Sequence, residues 1–259
     1  MIGGMIGETP YDLRWRMFGI PVRVHPFFWV MAAYLSWFLL TGVGIAAFLV
    51  GVACIFVSIL LHELGHAVTG NCFESRGHIV LWAFGGLAIG STHLHSRWKR
   101  ISVTAAGPGV QFVLWALLKW VVAPNLPGAF FQRDEAGKPS LGMIALDELL
   151  WINLYWAVLN LLPIWPLDGG QISRDLFTWF APRGGVRYSL QLSVGVCALL
   201  ALHAFLTENR PPLHPYLPSG TWAGIFFAMF ALFGVQALQE EYARARWVDE
   251  HTYWDDEFR

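Results

Sequence analysis

The sequence predicts an all-α polytopic membrane protein with about six transmembrane helices and a small membrane-associated β-sheet or hairpin on the cytosolic face. Three observations carry this expectation. Of the 259 residues, 56% are hydrophobic and only 14% charged, whereas soluble domains carry about 25% charged residues. From Val24 to His62 there is no Asp, Glu, Lys or Arg. Several further apolar stretches approach the roughly 20 residues needed to cross the hydrocarbon core.

In chain order, Gly19 to His25 alternates apolar and polar residues as a strand does, over about residues 18–25. Val24 to Thr41 makes a first, short span, and Gly42-Val43-Gly44 a turn. Ile45 to about Gly65 makes the second span. Between Gly77 and Thr92 the residues are β-branched and aromatic, broken by glycines, which reads as a small sheet or hairpin. Four more spans follow, at 101–122, 142–162, 186–206 and 221–238. The expected organisation is one membrane-embedded domain over 1–239, with core helices over about 45–175, and a short tail over 240–259. The three cysteines, Cys54, Cys72 and Cys197, form no close pair, so buried, reduced thiols are expected.

Lys and Arg set the orientation. With the N-terminus in the cytosol, Arg14, Arg16, Arg23, Arg76, Arg97, Lys99, Arg100, Arg174, Arg183, Arg187, Arg244, Arg246 and Arg259 fall on the cytosolic side. Arg133, Lys138 and Arg210 fall outside, and Lys119 near the outer end of a span, which is a positive-inside pattern. Both termini are expected in the cytosol. A net charge of −1 argues against nucleic acid as a partner.

The chemistry concentrates at His62-Glu63-Leu64-Gly65-His66, at the end of the uncharged stretch. Positions i and i+4 share a helix face, so the two imidazoles can converge on one ion. His-Glu-x-x-His is the pattern in which two His hold zinc and the Glu acts as general base. A catalytic zinc takes three protein ligands and keeps one position for water. The best third ligand is Asp168, in Pro163-Ile164-Trp165-Pro166-Leu167-Asp168-Gly169-Gly170. There the prolines end a helix, and the glycines allow a tight turn that can carry a side chain back. Asn153 and Asn160 could join helices or, more so for Asn160, hydrogen-bond a substrate or oxyanion. Gly107-Pro108-Gly109 opens the 101–122 span and permits close helix approach.

With these motifs in this order, the chain resembles the site-2 protease family of intramembrane zinc metalloproteases. The resemblance runs from about residue 19 to 175. It rests on Gly19 to His25, His62 to His66, Phe84-Gly85-Gly86-Leu87-Ala88, Gly107-Pro108 and Asn160 to Gly170. It implies that His62, His66 and Asp168 bind one zinc and that Glu63 is catalytic. It also implies cleavage of peptide bonds within or near transmembrane segments of membrane proteins. Gly85 and Gly86, with Asn160, are the candidate substrate contacts, through pairing of an unwound segment with the sheet edge. Family members often carry Asn or Ser shortly after the Gly-Pro, where Gln111 stands here. The chain has no room for the PDZ or nucleotide-sensing domains of some members, so a compact form is expected, in a bacterial inner membrane with its site toward the cytosol. The competing reading is a proteolytically inactive metal-binding scaffold or transporter, since intramembrane His and Asp also suit an ion pathway.

Overall fold

The computed structural model describes residues 7–75, 77–82, 85–89, 94–134, 137–210, 213 and 217–257. The chain falls into two compact units, Met1–Leu159 and Asn160–Arg259.

The first unit opens with a hairpin. β1 (Leu13–Met17) and β2 (Ile20–Val24) pair antiparallel, with Met17 opposite Ile20. Phe18 and Gly19 turn the chain at φ 51° and 79°, the left-handed pair that matches a two-residue turn to the strand twist. β2 pairs in parallel with β3 (His78–Trp82), and β3 antiparallel with β4 (Gly85–Ile89), in the order β1-β2-β3-β4. β2 and the β3–β4 hairpin meet the sequence expectation, and β1 is an additional strand. Its charged Arg14 and Arg16 alternate with Trp15 and Met17, which pack on the core. Of the expected hairpin, Ala83, Phe84, Gly90, Ser91 and Thr92 lie outside the described residues, as do Arg76 and His93.

His25 joins sheet to helix. Its backbone N–H donates to the Leu81 carbonyl at 2.9 Å, and its Nδ1 accepts from the Phe27 N–H at 3.2 Å. It thus caps α1 (Pro26–Leu35), where Pro26 fills the first turn, a position that needs no N–H. α2 (Trp37–Gly42) follows after a break at Ser36 (φ −92°, ψ 1°). The expected first span is therefore two short helices. The 10 residues of α1 reach only about 15 Å, half the hydrocarbon thickness. The long helices of this unit are α3 (Ile45–Cys72), α4 (Arg97–Leu117) and α5 (Leu141–Leu161). α4 continues through a π-turn at Leu118–Val122 to Asn125. Gly107 and Pro108 stand inside α4, not at its start. Val22, Val24, Phe28, Ile59, Ile79 and Leu81 form the centre of the core, each at most 2% exposed.

The second unit holds α6 (Asp168–Phe180), α7 (Gly185–Leu206) and α8 (Thr221–Glu257). α7 and α8 pack along each other. The expected tail from residue 240 is helical to Glu257, as an extension of α8. Tyr242 joins this extension to α7, receiving a 3.3 Å hydrogen bond from Gln191 Nε2 and the Arg187 guanidinium over its ring.

Among the described residues, five helices are long and apolar enough to span a bilayer. Their outer faces carry large apolar side chains. Leu199, Leu202, Leu206, Trp222 and Leu232 are each 55–73% exposed. Patches of this kind are a liability in water and are what hydrocarbon requires. Cys54 and Cys197 are buried, but Cys72, at the end of α3, is exposed, contrary to expectation.

The start of the sheet is tied by charge. The Thr9 hydroxyl and backbone N–H donate to Asp12 at 2.6 and 3.2 Å, and Arg23 reaches the same carboxylate at 3.0 Å. Burial pushes the Asp12 carboxyl up, but the Thr9 and Arg23 hydrogen bonds outweigh it and hold it at about 2, against an ordinary 3.8. A lowered folded-state value means that the stabilisation is complete above about pH 4 and disappears as pH falls toward 2. A spin label at Phe18→Cys should therefore gain mobility between pH 4 and 2. The step should be missing in Asp12→Asn, whose label should already be more mobile at neutral pH.

Candidate metal centre

His62, Glu63 and His66 occupy successive turns of α3 and are 2%, 3% and 6% exposed. The i, i+4 spacing brings the two imidazole Nε2 atoms to 3.0 Å, with the rings crossed at 80°. Glu63 Oε1 lies 3.9 Å from His62 Nε2. One donor atom from each of the three residues falls within 4.8 Å of the others. The set of two imidazoles and a carboxylate suits zinc and neighbouring divalent transition metals.

The opposite edges of both rings are held by α4. His66 Nδ1 lies 2.8 Å from the Val103 carbonyl oxygen. A carbonyl can only accept, so Nδ1 carries the proton and the Nε2 lone pair points inward. His62 Nδ1 lies 2.8 Å from Gln111 Oε1, which leaves its Nε2 lone pair facing inward as well. Two lone pairs 3.0 Å apart repel unless a cation or a proton lies between them. The arrangement fits a metal ion, because Zn–N bonds of about 2.0–2.1 Å place two ligand nitrogens at just over this separation.

Space for an ion comes from glycine. A methyl group on Gly107 would stand 2.2 Å from His66 Nε2 and 2.9 Å from His62 Nε2. One on Gly65 would stand 2.7 Å from the Ala106 carbonyl. These two glycines let α3 and α4 approach closely enough for backbone to border the imidazole tips. Val103, Gly107 and Gln111 repeat every fourth residue and so share one face of α4. That spacing was the signal in the sequence for Gln111, which there stood only as a departure from the family's Asn or Ser.

Asn153 on α5 is fully buried. It donates through Nδ2 to Ser58 Oγ on α3 at 3.0 Å and to the Leu149 carbonyl at 2.8 Å. This is the helix-joining role. Gly85 and Gly86 lie at the start of β4, opposite Trp82 and Leu81, and β4 packs against α3.

The remaining candidates belong to the second unit. Asn160, near the end of α5, is buried. Asp168 is the first residue of α6 and is also buried, where the positive end of the helix favours a carboxylate. α5 stops at Leu161, before Pro163, as the prolines predict. Gly169 and Gly170, however, form the first turn of α6 and not a tight loop turn. A methyl group on Gly169 would stand 2.2 Å from the Leu161 carbonyl oxygen, and one on Gly170 2.4 Å from that of Ile164. The incoming chain lies directly on this helix start, and only glycine leaves it room. The Trp165 N–H donates to Ser193 Oγ on α7 at 2.8 Å, fixing the connection.

The model of peptidase family M50 matches residues 133–202, a stretch that includes Asn160 and Asp168 but not the His62 to His66 motif. Stage IV sporulation protein FB of Bacillus subtilis is 28% identical over 246 residues, spanning 93% of this chain and 74% of that protein. A putative zinc metalloprotease of Synechocystis is 30% identical over 181 residues, 62% of this chain and 42% of that one. A zinc metalloprotease of Methanocaldococcus jannaschii is 28% identical over 200 residues, 74% of this chain and 52% of that one. The chain thus spans about half the length of these two metalloproteases. Among solved structures, a site-2 protease from Methanocaldococcus jannaschii matches with a TM-score of 0.54 at 24% identity, covering 89% of this chain and 95% of that chain. At this identity the likeness speaks for the fold. Family model, relatives and fold point the same way: this chain is similar to peptidase family M50 over residues 133–202 and shares the fold of a solved site-2 protease.

Proposed function

We propose that this chain is a zinc-dependent intramembrane endopeptidase that hydrolyses peptide bonds within or near transmembrane segments of membrane proteins. The observation that carries the reading is the His62–His66 pair, with both Nε2 lone pairs directed at one point and the Glu63 carboxylate beside it. The zinc metalloprotease names of two relatives support zinc as the ion. Asp168 is proposed as the third protein ligand on donor chemistry, as a buried carboxylate in the matched family region.

When bound, zinc supplies a Lewis acid and lowers the pKa of a coordinated water to about 7. The chain's own part is positional and protonic. His62 and His66 present neutral Nε2 atoms, each ring fixed through its Nδ1–H. Glu63 takes a proton from the attacking water and passes it to the leaving amine. A substrate helix must unwind first, since its carbonyls are tied up in backbone hydrogen bonds. Among the described strands β4 has a neighbour on one side only. Its Gly85–Gly86 end offers that free edge to an extended substrate segment, with Asn160 as a further contact. The site is proposed to open toward the cytosol of a bacterial inner membrane, with both termini on that side, by the distribution of Lys and Arg.

The test is cleavage of single-span membrane peptides by purified protein in detergent, with zinc content measured in the same samples. Glu63→Gln should lower turnover about 10²–10⁴-fold and keep its zinc. Retained cleavage would remove Glu63 from the mechanism, and no cleavage by the wild type across a broad panel would favour the metal-binding scaffold. Asp168→Ala should lose both zinc and cleavage, and full zinc retention would exclude it as a ligand. Gly107→Ala should also lose zinc, because the new methyl occupies the space before both Nε2 atoms. Gly109→Ala, whose methyl meets nothing within 4 Å, should behave as wild type in the same measurement.

A further inference from the structure

We infer that Gln111 is a positioning residue of the metal centre. Through Oε1 it accepts the His62 Nδ1 proton, and so selects the tautomer and ring orientation that present Nε2 to the ion. The inference rests on the zinc reading above and extends it beyond the first ring of ligands.

The two histidines are anchored by different means. His66 Nδ1–H donates to a backbone carbonyl, that of Val103, which no substitution removes. His62 Nδ1–H depends on one side chain, Gln111, at 2.8 Å. Neutral imidazole in water exchanges its proton between the two nitrogens. With the proton on Nε2, His62 could not ligate through the atom that faces His66. An acceptor at Nδ1 removes that state.

Packing does not account for a glutamine here. Gln111 is fully buried within α4, and its Nε2 has no acceptor among the described residues. A buried amide donor without a partner is destabilising, whereas methionine would fill nearly the same volume without that penalty. Among the described residues the side chain makes one hydrogen bond, the one to His62. A carboxylate could accept the same proton more strongly. It would also add a negative charge to the interior of a membrane helix, and the neutral amide avoids this.

The test measures zinc affinity of the full-length protein in detergent by competition with a chromophoric chelator. The visible spectrum of the cobalt-substituted protein reports ligand geometry without reference to turnover. Gln111→Met should weaken zinc binding about 10–100-fold and alter the cobalt bands, with the apo-protein's thermal transition at or above that of wild type. Gln111→Asn keeps the amide but withdraws it by about 1.5 Å, one carbon–carbon bond, and should weaken zinc similarly, so the test stands even if one variant misfolds. Gln111→Glu should restore affinity to within a few-fold of wild type, which a purely structural role would not predict. Wild-type affinity in Gln111→Met or Gln111→Asn, or a Gln111→Glu as weak as Gln111→Met, overturns the inference. Were the wild type itself to hold no more zinc than His62→Ala, the zinc reading would fall along with it. Zinc in the wild type and in Gln111→Met alike defeats only the role of Gln111.

Discussion

The first unit depends on how closely α4 approaches α3. Gly65 admits the Ala106 carbonyl, and Gly107 places backbone within van der Waals reach of both imidazole tips. Everything chemical follows from that contact. A carbonyl of α4 orients His66 and an amide of α4 orients His62, so the second helix supplies what the motif on the first cannot. In hydrocarbon, apolar surface gives helices little reason to associate, because lipid tails satisfy it equally well. Close packing of small residues and buried polar bonds must hold the pair together. The Asn153–Ser58 bond from α5 adds a third helix by the same means.

The distribution of polarity is therefore inverted with respect to a soluble enzyme. Large apolar side chains lie on the outer faces of α7 and α8, while His62, Glu63, His66, Thr104, Gln111 and Asn153 are all buried in the first unit. Irregular backbone at membrane depth survives only where protein covers it or water lines it. The β3–β4 hairpin beside α3 meets this condition by pairing its backbone within a four-stranded sheet. β2 is locked between two neighbours and leads directly into His25, the cap of α1. The sheet thereby fixes where the first helices begin.

Much of this was legible in the sequence, for identifiable physical reasons. Long uncharged runs mark α3 and α7 because bilayer thickness sets a minimum length, and i, i+4 spacing marks His62 and His66 because helical geometry makes the two neighbours. What escaped depends on partners distant in sequence. β1 reads as a charged segment until Trp15 and Met17 find a core and Asp12 finds Arg23. The break at Ser36 divides an apolar stretch that hydropathy alone treats as continuous. Gly169 and Gly170 look like turn residues, yet they are helical, and their smallness answers the backbone of Leu161 to Trp165 lying against them. Gln111 was visible only as an oddity, since nothing local indicates that its partner stands 49 positions earlier.

The position of Glu63 bears on whether the centre is chemical or merely binding. In a helix, residues i, i+1 and i+4 span a sector of about 100°, so a carboxylate at 63 flanks the imidazole pair without lying between them. Its Oε1 stands 3.9 Å from His62 Nε2, farther than a hydrogen bond and close enough to contact a water held by an ion at that nitrogen. With one donor atom of each of the three residues within 4.8 Å of the others, the carboxylate is near enough to ligate a shared ion directly or to accept a hydrogen bond from water beside it. A carboxylate buried to 3% exposure is costly in an apolar helix without polar or ionic company, and the proposed hydrolysis would use it to move a proton to and from water.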